Sequence, residues 1–258
     1  VSLDLSTASA ISFDVYGERL QAIGSAQVYL RSGPGWYGCS WFPPGEGKWC
    51  HVRLLKSHFF VDRAGAGWAR IDAIRFSPWA MKRENAVLYV ANLGVERPTA
   101  PAIILRQEYT DAAKKSEQGN ADKFTQTVAD LLEAAGISLP LVNSPDLTAE
   151  MLAKVRVVLV PYVSALPADV TTLLTEYLDA GGKIIGSFSL PGPIAERLGV
   201  SQKGWRGAAF PGEFSSMRFV DGELPGVPRT VGQKSWGLVQ VAAIEGRGTV
   251  AAWWALGG

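Results

Sequence analysis

Cysteine, histidine and net charge are all scarce in this 258-residue chain. Two cysteines, Cys39 and Cys50, and two histidines, His51 and His58, fall in the first quarter of the sequence. Everything after His58 therefore lacks a thiolate, an imidazole base and a Cys/His zinc set. Two Cys beside His51 do not match a zinc-ligand spacing either, so no metal site is assigned to them. Lys and Arg number 25 against 24 Asp and Glu, a net charge of +1, and the two signs are mixed. A nucleic-acid face would show a basic stripe, and there is none. The apolar runs are strand-length, too short to cross a membrane. Ser32-Gly-Pro-Gly-Trp36 and Gly45-Glu-Gly47 lack the strand–loop–helix setting of a phosphate-cradling loop, and no cofactor is expected. Internal repeats, low-complexity segments, an initiator Met and a signal-peptide pattern are also missing. The chain is expected to be mature or excised material from a longer polypeptide.

What is present changes character at Arg97-Pro98-Thr99-Ala100-Pro101. Before it, apolar and polar residues alternate with period two. Ile11, Phe13 and Val15 share one face of Ala10–Tyr16, with Ser12 and Asp14 on the other. The same alternation runs through Ala26–Arg31, His51–Leu55, Ala69–Phe76 and Ala86–Val90, with Gly and Pro in the turns. Such segments are strands with one buried face, and several at short spacing suggest a sandwich or jelly roll. After the break, apolar strands alternate with helical stretches, the pattern of a parallel sheet covered on both faces. Two domains are expected, an all-β sandwich over 1–97 and an α/β domain over 98–258.

The first domain holds Cys39-Ser-Trp-Phe-Pro-Pro-Gly-Glu-Gly-Lys-Trp-Cys50. Two strands joined by this loop could bring Cys39 and Cys50 to disulfide distance, which would suit an extracytoplasmic protein; two buried thiols are the alternative. Trp36, Tyr37, Trp41 and Trp49 lie in or beside the same loop-rich stretch, near Arg31, Lys48 and Arg53. Flat aromatic rings stack on the C–H faces of pyranoses, while charged or planar side chains serve the hydroxyls. Burial in a core is the competing role, and Trp68, just before a strand, reads as core. Ile11-Ser-Phe-Asp-Val15, Val28-Tyr-Leu-Arg-Ser-Gly33, Gly67-Trp-Ala-Arg-Ile-Asp-Ala-Ile-Arg-Phe-Ser77 and Val87-Leu-Tyr-Val90 resemble jelly-roll carbohydrate-binding modules that accompany polysaccharide-degrading enzymes. The resemblance implies a glycan ligand, with Trp36, Tyr37, Trp41, Trp49 and Arg53 as its candidate contacts. A structural calcium, as in many such modules, would need oxygen ligands from Asp4, Asp14, Asp62 or Asp72.

In the second domain a strand at Ala102–Leu105 leads to Arg106-Gln-Glu-Tyr109. A helix over Gly119–Ala135 carries Phe124, Val128, Leu131 and Leu132 as an apolar stripe. Ile137–Val142, a short helix at Thr148–Lys154, Val155–Pro161, a helix at Pro167–Ala180 and Lys183–Ser189 follow. Gly199–Gly237 is rich in Gly, Pro and aromatics and shows little regular pattern. Trp205, Phe210, Phe214 and Trp236 there would cover the sheet edge or meet another domain. Ala180-Gly-Gly-Lys-Ile-Ile-Gly-Ser-Phe-Ser189 and Arg247-Gly-Thr-Val-Ala-Ala-Trp-Trp254 resemble class I glutamine amidotransferase-like, flavodoxin-like domains, including relatives appended to glycoside hydrolases. That family places a Cys on the elbow after this strand; here Phe188 stands nearest that position, between Ser187 and Ser189.

The missing Cys and His exclude amidotransferase chemistry in this domain. Open α/β sheets bind ligands at the carboxyl ends of their strands, where Glu108, Tyr109, Asn143, Tyr162, Ser187 and Ser189 are expected to converge; a structural edge is the alternative. The leading expectation is an ancillary, secreted or periplasmic, carbohydrate-binding and assembly portion of a polysaccharide-processing protein. Its partners would be a polysaccharide or oligosaccharide and a catalytic glycosidase domain or a second copy. Two alternatives remain. One is part of a glycoside hydrolase, although Glu108, Asp111, Glu213 and Asp221 form no recognisable catalytic pair. The other is an oligomerisation module with no sugar ligand.

Overall fold

The computed structural model describes residues 2–109, 116–220, 222 and 224–255. The chain divides into two compact units, Val1–Pro161 and Tyr162–Gly258. Its regular structure is mostly β-sheet with few helices.

In the first unit β1 (Ala10–Glu18), β2 (Ile23–Ser32), β3 (Gly35–Trp41), β4 (Trp49–Leu55), β5 (Phe60–Arg63), β6 (Ile71–Ala80) and β7 (Val87–Glu96) form two antiparallel sheets. The orders are β4-β1-β7 and β5-β3-β2-β6. Their inward positions meet in one core: Phe13 and Val15 of β1, Val28 and Leu30 of β2, Val52 and Leu54 of β4, with Trp68 and Ile71. Phe13 sits edge-on against Trp41 at 5.0 Å and Phe76 at 5.1 Å, while Trp68 stacks on Tyr37 at 4.5 Å. Burial of these rings supplies the main driving force for the sandwich.

The stretch around Trp36, expected as loop, is the strand β3. Glycines at 35 and 38 hide its alternation, and Tyr37, Cys39 and Trp41 take the inward positions. Gly38 has no side chain because Phe60 and Tyr29 occupy that space; a Cβ there would meet Phe60 at 2.5 Å. The cysteines are free thiols rather than a disulfide. Cys39 lies on β3 and Cys50 on β4, in opposite sheets, and each Sγ donates to a carbonyl of its own segment, Ser40 O and Lys48 O.

The first unit continues through β8 (Ala102–Arg106), α1 (Gln118–Ala134), β9 (Leu141–Asn143), α2 (Ala149–Leu152) and β10 (Val157–Val160). β8 is wholly buried and pairs in parallel with β9 and β10. The strand expected at Ile137–Val142 begins only at Leu141. The N–H groups of Gly136 and Ile137 are still bonded to Glu133 O and Leu132 O, closing α1, and Pro140 has no donor to give a ladder. The expected apolar stripe is buried only in part: Ala121, Thr125 and Ala129 face inward with Leu132 packed beside them, while Phe124 and Leu131 are exposed. Small residues on that face let the helix lie close to β8.

The second unit contains α3 (Ala168–Asp179), β11 (Lys183–Gly186), α4 (Gly192–Arg197), β12 (Val200–Gly207), β13 (Phe214–Phe219), β14 (Thr230–Ser235), β15 (Gly237–Ala243) and β16 (Ala252–Ala255). Pro167 caps the start of α3 and Gly181, at φ +91°, follows its end. The region that showed little pattern is antiparallel sheet: β12 pairs with β15, and β14-β13-β16 form a second sheet. Glycine-rich strands with a bulge between Gln202 and Gly204 break the period-two signal, so the strands are hidden in the sequence.

Phe13→Ala should cost about 3–5 kcal/mol, read as a lowered denaturant midpoint at unchanged slope. Phe42→Ala, at an exposed position, should stay within about 0.5 kcal/mol of the parent.

Candidate functional site

The outward face of β4-β1-β7 is set by strand alternation. With Ile11, Phe13 and Val15 in the core, Ser12, Asp14 and Tyr16 face out. Register then places Tyr16 opposite Trp49 on β4 and Tyr89 on β7. The three rings form one row across three strands, with centroids 5.8 Å and 6.2 Å apart. Trp49 is 55% exposed and Tyr89 56%, values that separate them from core aromatics.

A polar row lies two residues along. Asp14 faces His51 across the ladder, and its Oδ1 accepts from His51 Nδ1 at 2.8 Å. Its Oδ2 accepts from Asn92 Nδ2 at 2.6 Å. The hydrogen bonds from Asn92 and His51 hold the Asp14 carboxyl below its ordinary range, so it is ionised at neutral pH. Asn92 reaches Asp14 because the β1–β7 register shifts there, and Asn92 itself has φ +52°.

The expected sugar contacts are dispersed. Tyr37 (4% exposed) and Trp41 (6%) are core residues, because their β3 positions point inward, and neither presents a ring face to a ligand. Trp36 is half-buried on the outer face of the other sheet, where the Arg75 guanidinium lies 4.9 Å from its ring. Arg53 is engaged by Glu96 at 2.5 Å, Glu133 at 2.6 Å and Ser138 at 2.9 Å, bracing β4 against the end of β7 and α1. Trp49 alone of that set joins the exposed row. Tyr16, Tyr89, His51 and Asn92 went unassigned, although alternation around Phe13 already put Tyr16 on the polar face. The four candidate calcium aspartates have separate roles: Asp4 caps Ser6 N–H, Asp72 pairs with Arg31, Asp14 sits in the polar row and Asp62 lies on β5. Among the described residues, no three His, Cys, Asp or Glu side chains gather as for a metal.

A second constellation is enclosed within the same unit. Lys56, 3% exposed, donates to Leu5 O at 3.1 Å and Ser6 O at 2.6 Å, and its Nζ lies 4.8 Å from the Trp68 ring centroid. Burial pushes Lys56 down to about 7, opposed by attraction to Asp146. Asp146 is pushed up by burial, opposed by Lys56 and a backbone hydrogen bond from Trp68. Gly67, at φ +85°, permits that approach; a Cβ there would lie 2.6 Å from Asp146 Oδ1. Arg106, at the end of β8, donates to Asn143 Oδ1 at 3.0 Å and Phe59 O at 3.4 Å, and lies 3.6 Å from Asp122. Glu108 is pushed up by burial, and its N–H donates to Ser144 Oγ at 3.0 Å. Tyr109 is buried, with its N–H on Gln118 Oε1 at 2.8 Å. Protein carbonyls and side chains occupy the donors of both cations, which marks this cluster as an internal brace.

In the second unit Tyr162 stacks on Phe188 at 5.1 Å and 18°. Ser189 N–H donates to Ser187 O at 3.0 Å, and Phe188 between them has φ +71°. That tight, strained turn follows β11, as a nucleophile elbow would, but presents a phenyl ring. Ser187 is exposed and Ser189 half-buried. Glu213 is ion-paired with Arg206 and accepts from Ala209 N–H, the backbone bond holding its carboxyl low. Asp111 and Asp221 lie outside the described residues.

No protein-family model matches this chain, and no curated protein matches it. Among solved structures it is similar to a β-galactosidase from Bifidobacterium adolescentis, with a TM-score of 0.33 and 18% identity over 48% of this chain. The chain spans 63% of that protein, less than two thirds of its length. It is also similar to a thua-like protein from Bacteroides uniformis, with a TM-score of 0.38 and 13% identity over 60% of this chain and 74% of that one.

Lys56→Met would leave the carbonyls of Leu5 and Ser6 without their donor, and should cost about 1–3 kcal/mol in denaturant unfolding at pH 7. Between pH 7 and 10 the unfolded chain keeps the Lys56 proton that the folded chain has lost, so this group makes the parent more stable as pH rises. The gap between parent and Lys56→Met should therefore widen across that window, by up to about 1.4 kcal/mol per pH unit.

Proposed function

We propose that this chain is the ancillary, glycan-binding and assembly portion of a polysaccharide-processing protein. The binding surface is the outer face of β4-β1-β7. The observation that supports this most strongly is the cross-strand row Trp49–Tyr16–Tyr89, open to solvent and bordered by His51, Asp14 and Asn92. Exposed aromatic side chains lose water readily to an apolar sugar face, while the adjacent polar row satisfies hydroxyls that would otherwise be stripped of hydrogen bonds. The core of the sandwich holds this face rigid, so little ordering entropy opposes binding.

The part after residue 97 serves assembly in this reading, with a catalytic glycosidase domain or a second copy as partner. It carries no Cys and no His, and its elbow position holds Phe188 against Tyr162. Thiolate transfer of an amide nitrogen thus has no nucleophile and no base in this part of the chain. An extracytoplasmic setting, where polysaccharides are met, completes the proposal.

Affinity electrophoresis against soluble plant and microbial polysaccharides tests it. Retardation by at least one glycan is expected. Trp49→Ala and Tyr89→Ala should each weaken that binding about tenfold or more. Unfolding free energies should stay within about 0.5 kcal/mol of the parent, because both side chains are exposed. Unchanged retardation in both variants would remove this face from the account.

A further inference from the structure

We infer that this face takes a single, soluble, electrically neutral glycan strand, and that His51 and Asn92 choose among sugars by reading ring hydroxyls. The inference rests on the glycan-binding function proposed above and extends it to the ligand class and the residues that select it.

The ring planes come first. Tyr16 is tilted 51° from Trp49 and 55° from Tyr89, so neighbouring rings of the row do not share a plane. A flat crystalline surface cannot lie against two neighbouring rings of this row at once. A lone strand can turn between successive sugars and present a C–H face to each ring, which gains all three contacts.

The polar row is fixed in orientation. Asp14 is tied to His51 Nδ1 at 2.8 Å and Asn92 Nδ2 at 2.6 Å. An ionised carboxylate only accepts, so Nδ1 is the donor of this hydrogen bond and Nε2 is left open. Asn92 Oδ1 is likewise turned away from the carboxylate. Both residues are exposed, and neither open atom has a hydrogen-bond partner among the described residues. Two preset polar atoms beside the aromatic row suit hydroxyls of defined position on a sugar ring. Asn92 is held at φ +52°, a backbone region that non-glycine residues enter under constraint, at an irregularity that re-aims its side chain across the sheet.

Charge sets the class. Tyr16 Oη donates to Glu18 Oε1 at 3.3 Å, and Asp14 lies two residues the other way on the same face. The central ring is flanked by two carboxylates. Arg53, at the next outward position of β4, is consumed by Glu96 and Glu133. A uronate stacked on Tyr16 would meet like charge on both sides, whereas a neutral hexose or pentose would not.

The test runs affinity electrophoresis in hydroxyethylcellulose, soluble xylan and galactomannan, and in the acidic polymers polygalacturonate and alginate. A pull-down on microcrystalline cellulose and thermal unfolding of each variant accompany it. The variants are Asn92→Gly, which keeps the left-handed backbone and removes the amide, and His51→Ala. At least one neutral gel should retard the parent, with the acidic gels about tenfold weaker and no binding to the crystalline solid. Each variant should lose about threefold to tenfold in affinity, unevenly among the neutral gels, at an unchanged unfolding temperature. Parent-like retardation of both variants, together with loss in Trp49→Ala, would leave the glycan-binding function standing and overturn this inference. So would stronger retardation by an acidic polymer, or capture by the crystalline solid. No retardation of the parent in any gel would overturn both.

Discussion

The buried ammonium of Lys56 is the constraint on which the binding face depends. It sits one residue past β4, at a position that alternation turns inward, as it does Cys50, Val52 and Leu54. Two carbonyls of the N-terminal segment and the Trp68 ring surround it, and the negative charge of Asp146 attracts it. An amine so placed cannot move to the other face of the strand without leaving the carbonyls of Leu5 and Ser6 unsatisfied. Strand side chains have period two, so the anchor fixes the register of β4: Lys56 inside means Trp49, His51 and Arg53 outside. The aromatic row and the polar row are consequences of that choice. Asp146 also draws the segment after β9 against the loop bearing Trp68, and Arg106 bonds Phe59 O just past the same turn. Sandwich and parallel strands thereby share one electrostatic brace, which accounts for a first compact unit that runs on to Pro161.

The same economy of donors separates brace from binding surface. In the interior, Lys56 and Arg106 have their protons accepted by protein oxygen, and Arg53 is saturated by two carboxylates and a hydroxyl. On the outer face Asp14 spends its lone pairs orienting two neighbours whose other atoms stay open to solvent. Charge that is consumed holds the fold, and polarity that is merely oriented remains for a ligand. Glu213 belongs to the first kind, tied to Arg206 and Ala209, which sets it apart from a free acid or base.

Period-two alternation made most of the first unit legible. β1, β2, β4, β6 and β7 all read directly, because one apolar face and one polar face are written into the residues. β3 does not, since Gly35 removes a side chain from its inward face and Gly38 one from its outward face; read as part of a loop-rich stretch, its core residues Tyr37 and Trp41 resemble ligand platforms. Tyr16 and Tyr89 were hidden for the opposite reason, as isolated polar-face positions whose meaning depends on cross-strand register. Phe188, expected nearest the elbow position, has φ +71° in the turn after β11. The antiparallel strands after Arg197 left little trace, because turns with positive-φ glycines at 199, 204, 212 and 226 dominate their composition. Long-range contacts such as the hydrogen bonds from Lys56 to Leu5 O and Ser6 O carry no local signature at all.

The most direct measurement is a heteronuclear NMR titration of the indole N–H groups of the nine tryptophans with a retarding neutral polysaccharide or its oligosaccharide. The account predicts that the Trp49 indole shifts with saturation while the buried Trp41 and Trp68 indoles stay still. A stationary Trp49 alongside shifts at Trp205, Trp236, Trp253 or Trp254, all exposed in the second unit, would contradict it and move the binding surface to that unit.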